Sequence, residues 1–129
     1  MKSKLKYYTR YLLILSLFFS VACAENEPRA ITGKWKATAL EEEGEALEVQ
    51  LDKIQFTFYP DAKYDYKSTL NYREAGNYQL KSKYLYTTDT LNMTSVEKVV
   101  EITRLLPDTM VIRMEQNGKE RMLTLAREE

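Results

Sequence analysis

The sequence contains no histidine and a single cysteine, Cys23, among its 129 residues. Histidine and cysteine supply much of the proton transfer, nucleophilic chemistry and zinc binding of proteins at neutral pH. The chain also lacks G-x-S-x-G, H-E-x-x-H and glycine-rich phosphate-binding motifs. Its carboxylate pair Asp61 and Asp65 falls at turn and outward positions of the predicted strands. These absences predict a protein that is not an enzyme and that carries no metal or cofactor.

Neither sign of charge is in excess, because 19 lysines and arginines balance 19 aspartates and glutamates. Four of the basic residues lie within residues 1–22, a segment that has no acidic residue. Removal of that segment leaves 15 basic and 19 acidic residues, a net charge of −4. Nucleic-acid binding requires a basic face, so the composition gives no reason to expect a nucleic-acid partner.

Residues 1–22 have the composition of a secretory signal peptide. Lys2, Lys4, Lys6 and Arg10 precede an almost unbroken apolar run, Tyr11–Ala22, that ends in small residues. As a helix, this run would reach about 18 Å, whereas the hydrocarbon core of a bilayer is about 30 Å thick. We therefore predict an exported chain with a cleaved leader rather than a membrane-spanning helix.

Cys23 stands at the predicted cleavage site, where it has no second cysteine with which to form an internal disulfide. This position resembles the lipobox of bacterial lipoproteins, in which signal peptidase II cleaves before a cysteine that becomes diacylated. Ala22 matches the position before the cysteine, whereas Ser20 stands where the family usually has leucine. The resemblance implies membrane attachment through a lipid anchor at Cys23, in the bacterial cell envelope and at the outer membrane. The alternative is ordinary cleavage after Ala24, because Ala22-x-Ala24 also satisfies the A-x-A pattern.

Residues 23–30 are polar and predict a tether. From Gly33 onward, apolar side chains recur at every second position, which is the period of a β-strand. Prolines and polar residues between these stretches mark turns. We predict an all-β fold over residues 31–127, a small antiparallel up-and-down barrel of eight strands, because closure removes the exposed edges of an open sheet. The predicted inward faces are Trp35, Ala37, Ala39; Ile54, Phe56, Phe58; Tyr64, Tyr66, Leu70; Gly76, Tyr78, Leu80; Val100, Ile102; Met110, Ile112, Met114; and Leu123, Leu125.

The strongest local signal is Asn117-Gly118, the dipeptide of a type I′ hairpin turn. A two-residue loop sets the register of the strands on either side. It places Ile112 opposite Leu123 and Met110 opposite Leu125, so the apolar faces of the last two strands coincide.

Several motifs follow one another in the order of a known family. The chain has G-x-W at Gly33 and Trp35, a Pro60-Asp61-Ala62 turn shortly after an inward phenylalanine, G-x-Y at Gly76 and Tyr78, and an apolar run with a turn over residues 105–112. Together these motifs resemble the lipocalin-like domains of bacterial envelope lipoproteins. The turn departs from the family in having alanine where glycine usually follows the aspartate.

The resemblance implies a barrel with one closed end and one open end, the first strand starting at the closed end and the last strand returning there. Arg127 shares the parity of Leu123 and Leu125, so its side chain follows the inward face to the rim. Gly33, Trp35 and Arg127 are therefore expected to close the base, with the guanidinium across the indole. The longest connection at the open end, residues 40–52, carries five glutamates and predicts an acid-rimmed mouth.

Two functions remain open at this point. In the first, the open end holds a small hydrophobic ligand. In the second, side chains fill the barrel, and the protein is a structural or protein-interaction module of the envelope, its outer face presenting tyrosines to a partner. The tyrosines expected on that face are Tyr59, Tyr72, Tyr84 and Tyr86. The residues expected to line a ligand cavity are Ile54, Phe56, Tyr66, Leu70, Tyr78, Met110, Ile112 and Met114.

Overall fold

Nine β-strands and one 3-10 turn form the part of the chain that the structure, a computed structural model, describes, residues 30–93 and 95–129. The predicted signal peptide, Cys23 and the tether up to residue 29 lie outside these residues. No helix within the described ranges is long and apolar enough to cross a membrane. The strands are β1 (Gly33–Glu42), β2 (Glu45–Ala46), β3 (Gln55–Phe58), β4 (Lys63–Lys67), β5 (Arg73–Lys81), β6 (Tyr84–Asp89), β7 (Glu97–Leu105), β8 (Thr109–Gln116) and β9 (Lys119–Arg127), and the 3-10 turn (Leu51–Lys53) precedes β3.

Eight of these strands form a closed antiparallel barrel, which confirms the predicted fold class. From β3 to β9 each strand pairs with the next, β1 pairs with β3, and β1 also pairs with β9 to close the sheet. The ninth strand, β2, is only two residues long and pairs with the end of β1. β2 lies within residues 40–52, a connection for which the alternation of apolar residues predicts no strand.

The final hairpin has the register predicted from its turn. Ile112 pairs with Leu123 and Met110 pairs with Leu125. Asn117 and Gly118 have φ values of 55° and 75°, the left-handed backbone that a type I′ turn requires at both central positions.

A β-bulge in β1 changes the predicted inward face of that strand. Ala37 pairs with Leu125, but the register shifts before Ala39, which pairs with Thr124. The extra residue brings Leu40 opposite Leu123 and onto the inward side. The prediction that Ala39 continues the face of Trp35 was therefore wrong, because strict alternation holds only while the ladder is regular.

The turn after β4 places Leu70 on the outside, contrary to the prediction. Regular pairing with β5 begins at Lys67, and Leu70 and Asn71 adopt positive φ values of 58° and 56°. Leu70 is 98% exposed, so it is not on the inward face and does not line the interior. The chain reverses before alternation reaches this position.

The core is densest at the closed end. Trp35, Phe58, Met110 and Leu125 are completely or almost completely buried, together with Ile31 just before β1. The Nε1 of Trp35 donates a hydrogen bond to the carbonyl oxygen of Ile31 at 2.8 Å, which satisfies the one polar atom of this buried ring. The other end of the barrel contains the cavity.

Candidate functional site

The closed base is built around the side chain of Arg127. Its guanidinium carbon lies 4.3 Å from the centre of the Trp35 ring, the placement that strand direction and parity predict. The same guanidinium donates to the carbonyl oxygens of Pro107 at 2.7 Å, Ala30 at 2.9 Å and Thr32. One side chain therefore joins the end of β9 to the segment before β1 and to the β7–β8 turn.

Gly33 makes this arrangement possible at the start of β1. Its φ is 130°, a backbone conformation that side chains other than glycine rarely adopt. A Cβ atom here would lie 2.7 Å from a guanidinium nitrogen of Arg127. The glycine of the G-x-W motif is thus required by its backbone angle and by the approach of the arginine.

A cavity of about 740 Å³ occupies the open half of the barrel, within the range of small-molecule sites. Its deep walls are apolar and include Ile54, Phe56, Leu85 and Ile112, with Leu40 and Met114 nearer the mouth. Of the eight residues predicted from sequence to line a ligand cavity, those that do so are Ile54, Phe56, Tyr66, Ile112 and Met114.

The other three predicted lining residues lie elsewhere. Leu70 projects from the β4–β5 turn into solvent, as described above. Tyr78 and Met110 are inward but belong to the closed-end core, where they are 3% and 0% exposed. Alternation identifies the inward face correctly, but it does not tell how far along the barrel axis the packed core ends and the cavity begins.

The predicted acidic rim is replaced by a mixed one. None of the glutamates in residues 41–48 lines the cavity, because β1 extends to Glu42 and the chain then turns back as β2. The carboxylate of Glu42 is paired instead with Arg121 at 2.7 Å and Lys119 at 3.5 Å. The hydrogen bond from Arg121 holds the pKa of Glu42 below its usual value.

The main polar feature of the cavity is the carboxylate of Glu74, on β5. Glu74 is only 5% exposed. It accepts hydrogen bonds from the hydroxyl groups of Tyr64 at 3.2 Å and Tyr72 at 2.5 Å, and it forms an ion pair with the Nζ of Lys98. A buried carboxylate with three donors is satisfied as a charged group, as burial requires.

The two tyrosines that donate to Glu74 have raised pKa values. Burial, with the nearby carboxylate of Glu74, raises the pKa of Tyr64 well above its usual value. The hydrogen bond to Glu74 raises the pKa of Tyr72 to about 12. Tyr72, predicted to face outward, is 45% exposed and also contributes to the cavity mouth. Tyr59 and Tyr84 are exposed as predicted.

Sequence reasoning missed Glu74 and Lys98, although the signal was present. Glu74 has the parity of Gly76 and Tyr78, and Lys98 has that of Val100 and Ile102. Each lies two residues before a position that the alternation correctly places on the inward face, Glu74 before Gly76 and Lys98 before Val100. Charged residues near a strand end normally mark the beginning of a solvated turn, so alternation alone does not extend the inward face to them.

The cavity wall combines apolar side chains with one buried carboxylate. No group of three or more acidic, cysteine or histidine side chains that could hold a metal ion occurs in residues 30–93 and 95–129. What the cavity provides is apolar area with a single buried carboxylate in its wall. That combination suits retention and orientation of an amphipathic molecule.

The comparisons with known proteins agree with this architecture. Residues 31–112 match the family model of a lipocalin-like domain. The fold is similar to a lipocalin-like protein from Bacteroides uniformis, with a TM-score of 0.58 and 14% identity over 77% of this chain and 99% of that one. It is also similar to an uncharacterized protein from Bacteroides eggerthii, with a TM-score of 0.54 and 15% identity over 76% of this chain and 99% of that one. No curated protein sequence matches the chain.

Proposed function

Because the chain belongs to the family of lipocalin-like domains, we propose that its barrel binds a small, predominantly apolar ligand in the open-end cavity. The observation that carries the proposal is the cavity of about 740 Å³ itself. A barrel of this size can be filled entirely by its own side chains, whereas here the packed core occupies only the closed half. The proposed function is non-catalytic, in keeping with the absence of histidine from the sequence.

Filling the cavity from its wall tests this function. Met114→Trp places an indole in the cavity near the mouth, so we expect it to abolish most of the fluorescence enhancement of the apolar probe N-phenyl-1-naphthylamine. The matched control is Val111→Trp, which adds the same ring on the opposite face of β8, outside the cavity residues. Failure of the unmodified protein to bind the probe, or equal binding by Met114→Trp, would contradict the proposal.

We further propose that the protein is a lipoprotein of the bacterial envelope, held at the outer membrane through acylated Cys23. The tether joins the barrel at its closed base, since the carbonyl of Ala30 accepts a hydrogen bond from Arg127. A fully extended tether from residue 23 to residue 30 reaches about 25–30 Å. The mouth would then face away from the membrane that holds the anchor.

Replacing the anchor residue tests the location. Two acyl chains hold a protein stably at a membrane where one is marginal, so Cys23→Ser should move the protein from the membrane fraction to the soluble fraction. The measurement is fractionation with immunodetection, together with mass spectrometry of the mature N-terminus. Membrane retention of Cys23→Ser would show that attachment does not depend on acylation of Cys23. An unmodified N-terminus after Ala24 in the natural sequence would show ordinary secretory cleavage instead.

A further inference from the structure

We propose that the polar subsite of the cavity, formed by Glu74 and the aromatic side chains Phe56, Tyr66 and Tyr72, selects ligands that carry a protonated amine. This inference rests on the proposed ligand-binding function and adds the chemical class of the ligand. In the bound state the ligand ammonium takes the place of the Lys98 ammonium at the Glu74 carboxylate. The apolar part of the ligand lies against the deep walls.

The charges that face the cavity favour a cation over an anion. The titratable groups along its wall are Tyr66, Tyr72, Glu74, Lys98, Glu115 and Arg121. Both cations are already paired with a carboxylate, Lys98 with Glu74 and Arg121 with Glu42. A ligand anion that approached either cation would also approach that carboxylate, and repulsion would offset the attraction.

Lys98 is a partner that a ligand can replace. Its side chain is 56% exposed, whereas that of Glu74 is 7% exposed. The lysine ammonium can therefore return to water by rotation about its flexible side chain. The carboxylate cannot leave, because it is buried and held by two tyrosine hydroxyls. A buried carboxylate left without a cation is costly, so an incoming ammonium is favoured at this point.

Aromatic rings extend from the carboxylate into the cavity. The rings of Phe56 and Tyr66 are stacked with centroids 4.4 Å apart, and Tyr66 meets Tyr72 edge to face at 6.2 Å. All three belong to the cavity lining, as does Glu74. Aromatic faces attract cations and alkyl chains alike, so this wall suits a primary amine with an apolar tail.

Three probes of equal chain length test the selectivity. Full-length protein in detergent is titrated by calorimetry at pH 7 with octylamine, octan-1-ol and octanoate. A protein-free titration in the same detergent serves as the blank. We expect octylamine to bind roughly 10- to 100-fold more tightly than octan-1-ol, the range of one charged hydrogen bond, and octanoate to bind most weakly. Equal or tighter binding of the alcohol or the acid overturns the inference while leaving ligand binding intact. Absence of binding by all three overturns the proposed function as well.

Two substitutions with opposite expected effects assign the selectivity to this subsite. Glu74→Gln should abolish the preference for octylamine, whereas Lys98→Met should strengthen octylamine binding by removing the competing ammonium. The matched control is Glu97→Gln, which removes the same charge from an exposed position of β7 outside the cavity lining and should preserve the preference. Thermal unfolding of each variant establishes that it is folded. A preference that survives Glu74→Gln, or weaker octylamine binding by Lys98→Met, overturns the inference.

Discussion

At the closed base, Arg127 and Gly33 make contacts that chemically similar residues cannot make. The guanidinium of Arg127 covers the Trp35 ring and donates to three backbone carbonyls, two before β1 and one in the β7–β8 turn. Lysine has one point of charge and cannot present this planar fork. Gly33 has a φ of 130°, which other residues rarely adopt, and a side chain there would displace the guanidinium.

A double-mutant cycle measures how strongly the Arg127 guanidinium and the Trp35 ring stabilise one another. Trp35→Ala should lower the free energy of unfolding by about 3–5 kcal/mol through the cavity it leaves. Arg127→Ala should lower it by about 2–4 kcal/mol, because it removes the stack and the charged hydrogen bonds. The double mutant should cost about 0.5–2 kcal/mol less than the sum, the energy of the shared contact. The measurement is urea unfolding of all four proteins.

Arg127→Lys is the control for this cycle, since it keeps the charge and loses the fork. We expect its stability to lie between those of the unmodified protein and Arg127→Ala. Strict additivity in the cycle would mean that the guanidinium and the indole do not stabilise one another. The base would then be held by the carbonyl contacts alone.

At the scale of the strands, β5 and β6 approach each other closely at Gly76. A Cβ atom on Gly76 would lie 1.9 Å from the carbonyl oxygen of Thr88. Just beyond, Asp89 caps the following loop by accepting hydrogen bonds from the backbone of Leu91 and from both the backbone and the side chain of Asn92. Glu74 lies two residues before Gly76 on the same strand.

Gly76→Ala should therefore be strongly destabilising. The methyl group meets backbone and not the end of a flexible side chain, so one of the two strands must move, at a cost of about 1–3 kcal/mol or more. Urea unfolding measures the loss. Gly44→Ala is the control, because nothing lies within 4 Å of the added atom, and its cost is limited to the left-handed backbone penalty of about 1–2 kcal/mol. A smaller loss for Gly76→Ala than for Gly44→Ala would show that the strands can separate freely.

At the scale of the whole barrel, carboxylates link neighbouring strands around the circumference. The pairs are Glu42 with Arg121, Asp65 with Arg73, and Glu101 with Arg113. Hydrogen bonds from these arginines lower the pKa of Glu42 and of Glu101. Burial acts in the opposite direction on Asp65 and Asp89, but hydrogen bonds outweigh it and lower the pKa of both groups.

The barrel should consequently lose stability in acid. A carboxyl group whose pKa is lowered by folding contributes stability above its unfolded pKa, about 3.9 for aspartate and 4.3 for glutamate. This contribution is lost as the pH falls through the folded pKa. We expect the urea midpoint to be constant from pH 7 to about pH 5 and to decline between about pH 5 and pH 3. Asp89→Asn should be less stable at pH 7 and should show a shallower decline, whereas a midpoint unchanged at pH 3 would contradict the assignment.

Local patterns in the sequence predict most of the barrel wall. The period of two is a property of the pleat, so Phe56, Tyr66 and Ile112 are recognised as inward without knowledge of their neighbours. The turn at Asn117-Gly118 likewise sets its own register through the backbone angles of two residues. Both signals depend on only a few neighbouring residues, so they do not require contacts with distant parts of the chain.

Only the tertiary structure decides the features that depend on strands distant in sequence. The bulge that turns Leu40 inward follows from fitting β1 between β3 and β9 in a curved sheet, and the exposed position of Leu70 follows from where β4 must end to meet β5. The carboxylate of Glu74 is brought to Tyr64 and Lys98 by the pairing of β4 to β7. The sequence by itself therefore determined the barrel strands and the final hairpin through parity and turn geometry, and the inward side of Arg127 through parity, while the resemblance to lipocalin-like domains identified which end is closed. The depth of the cavity and its buried carboxylate depend on how eight strands share one interior volume, which no single segment encodes.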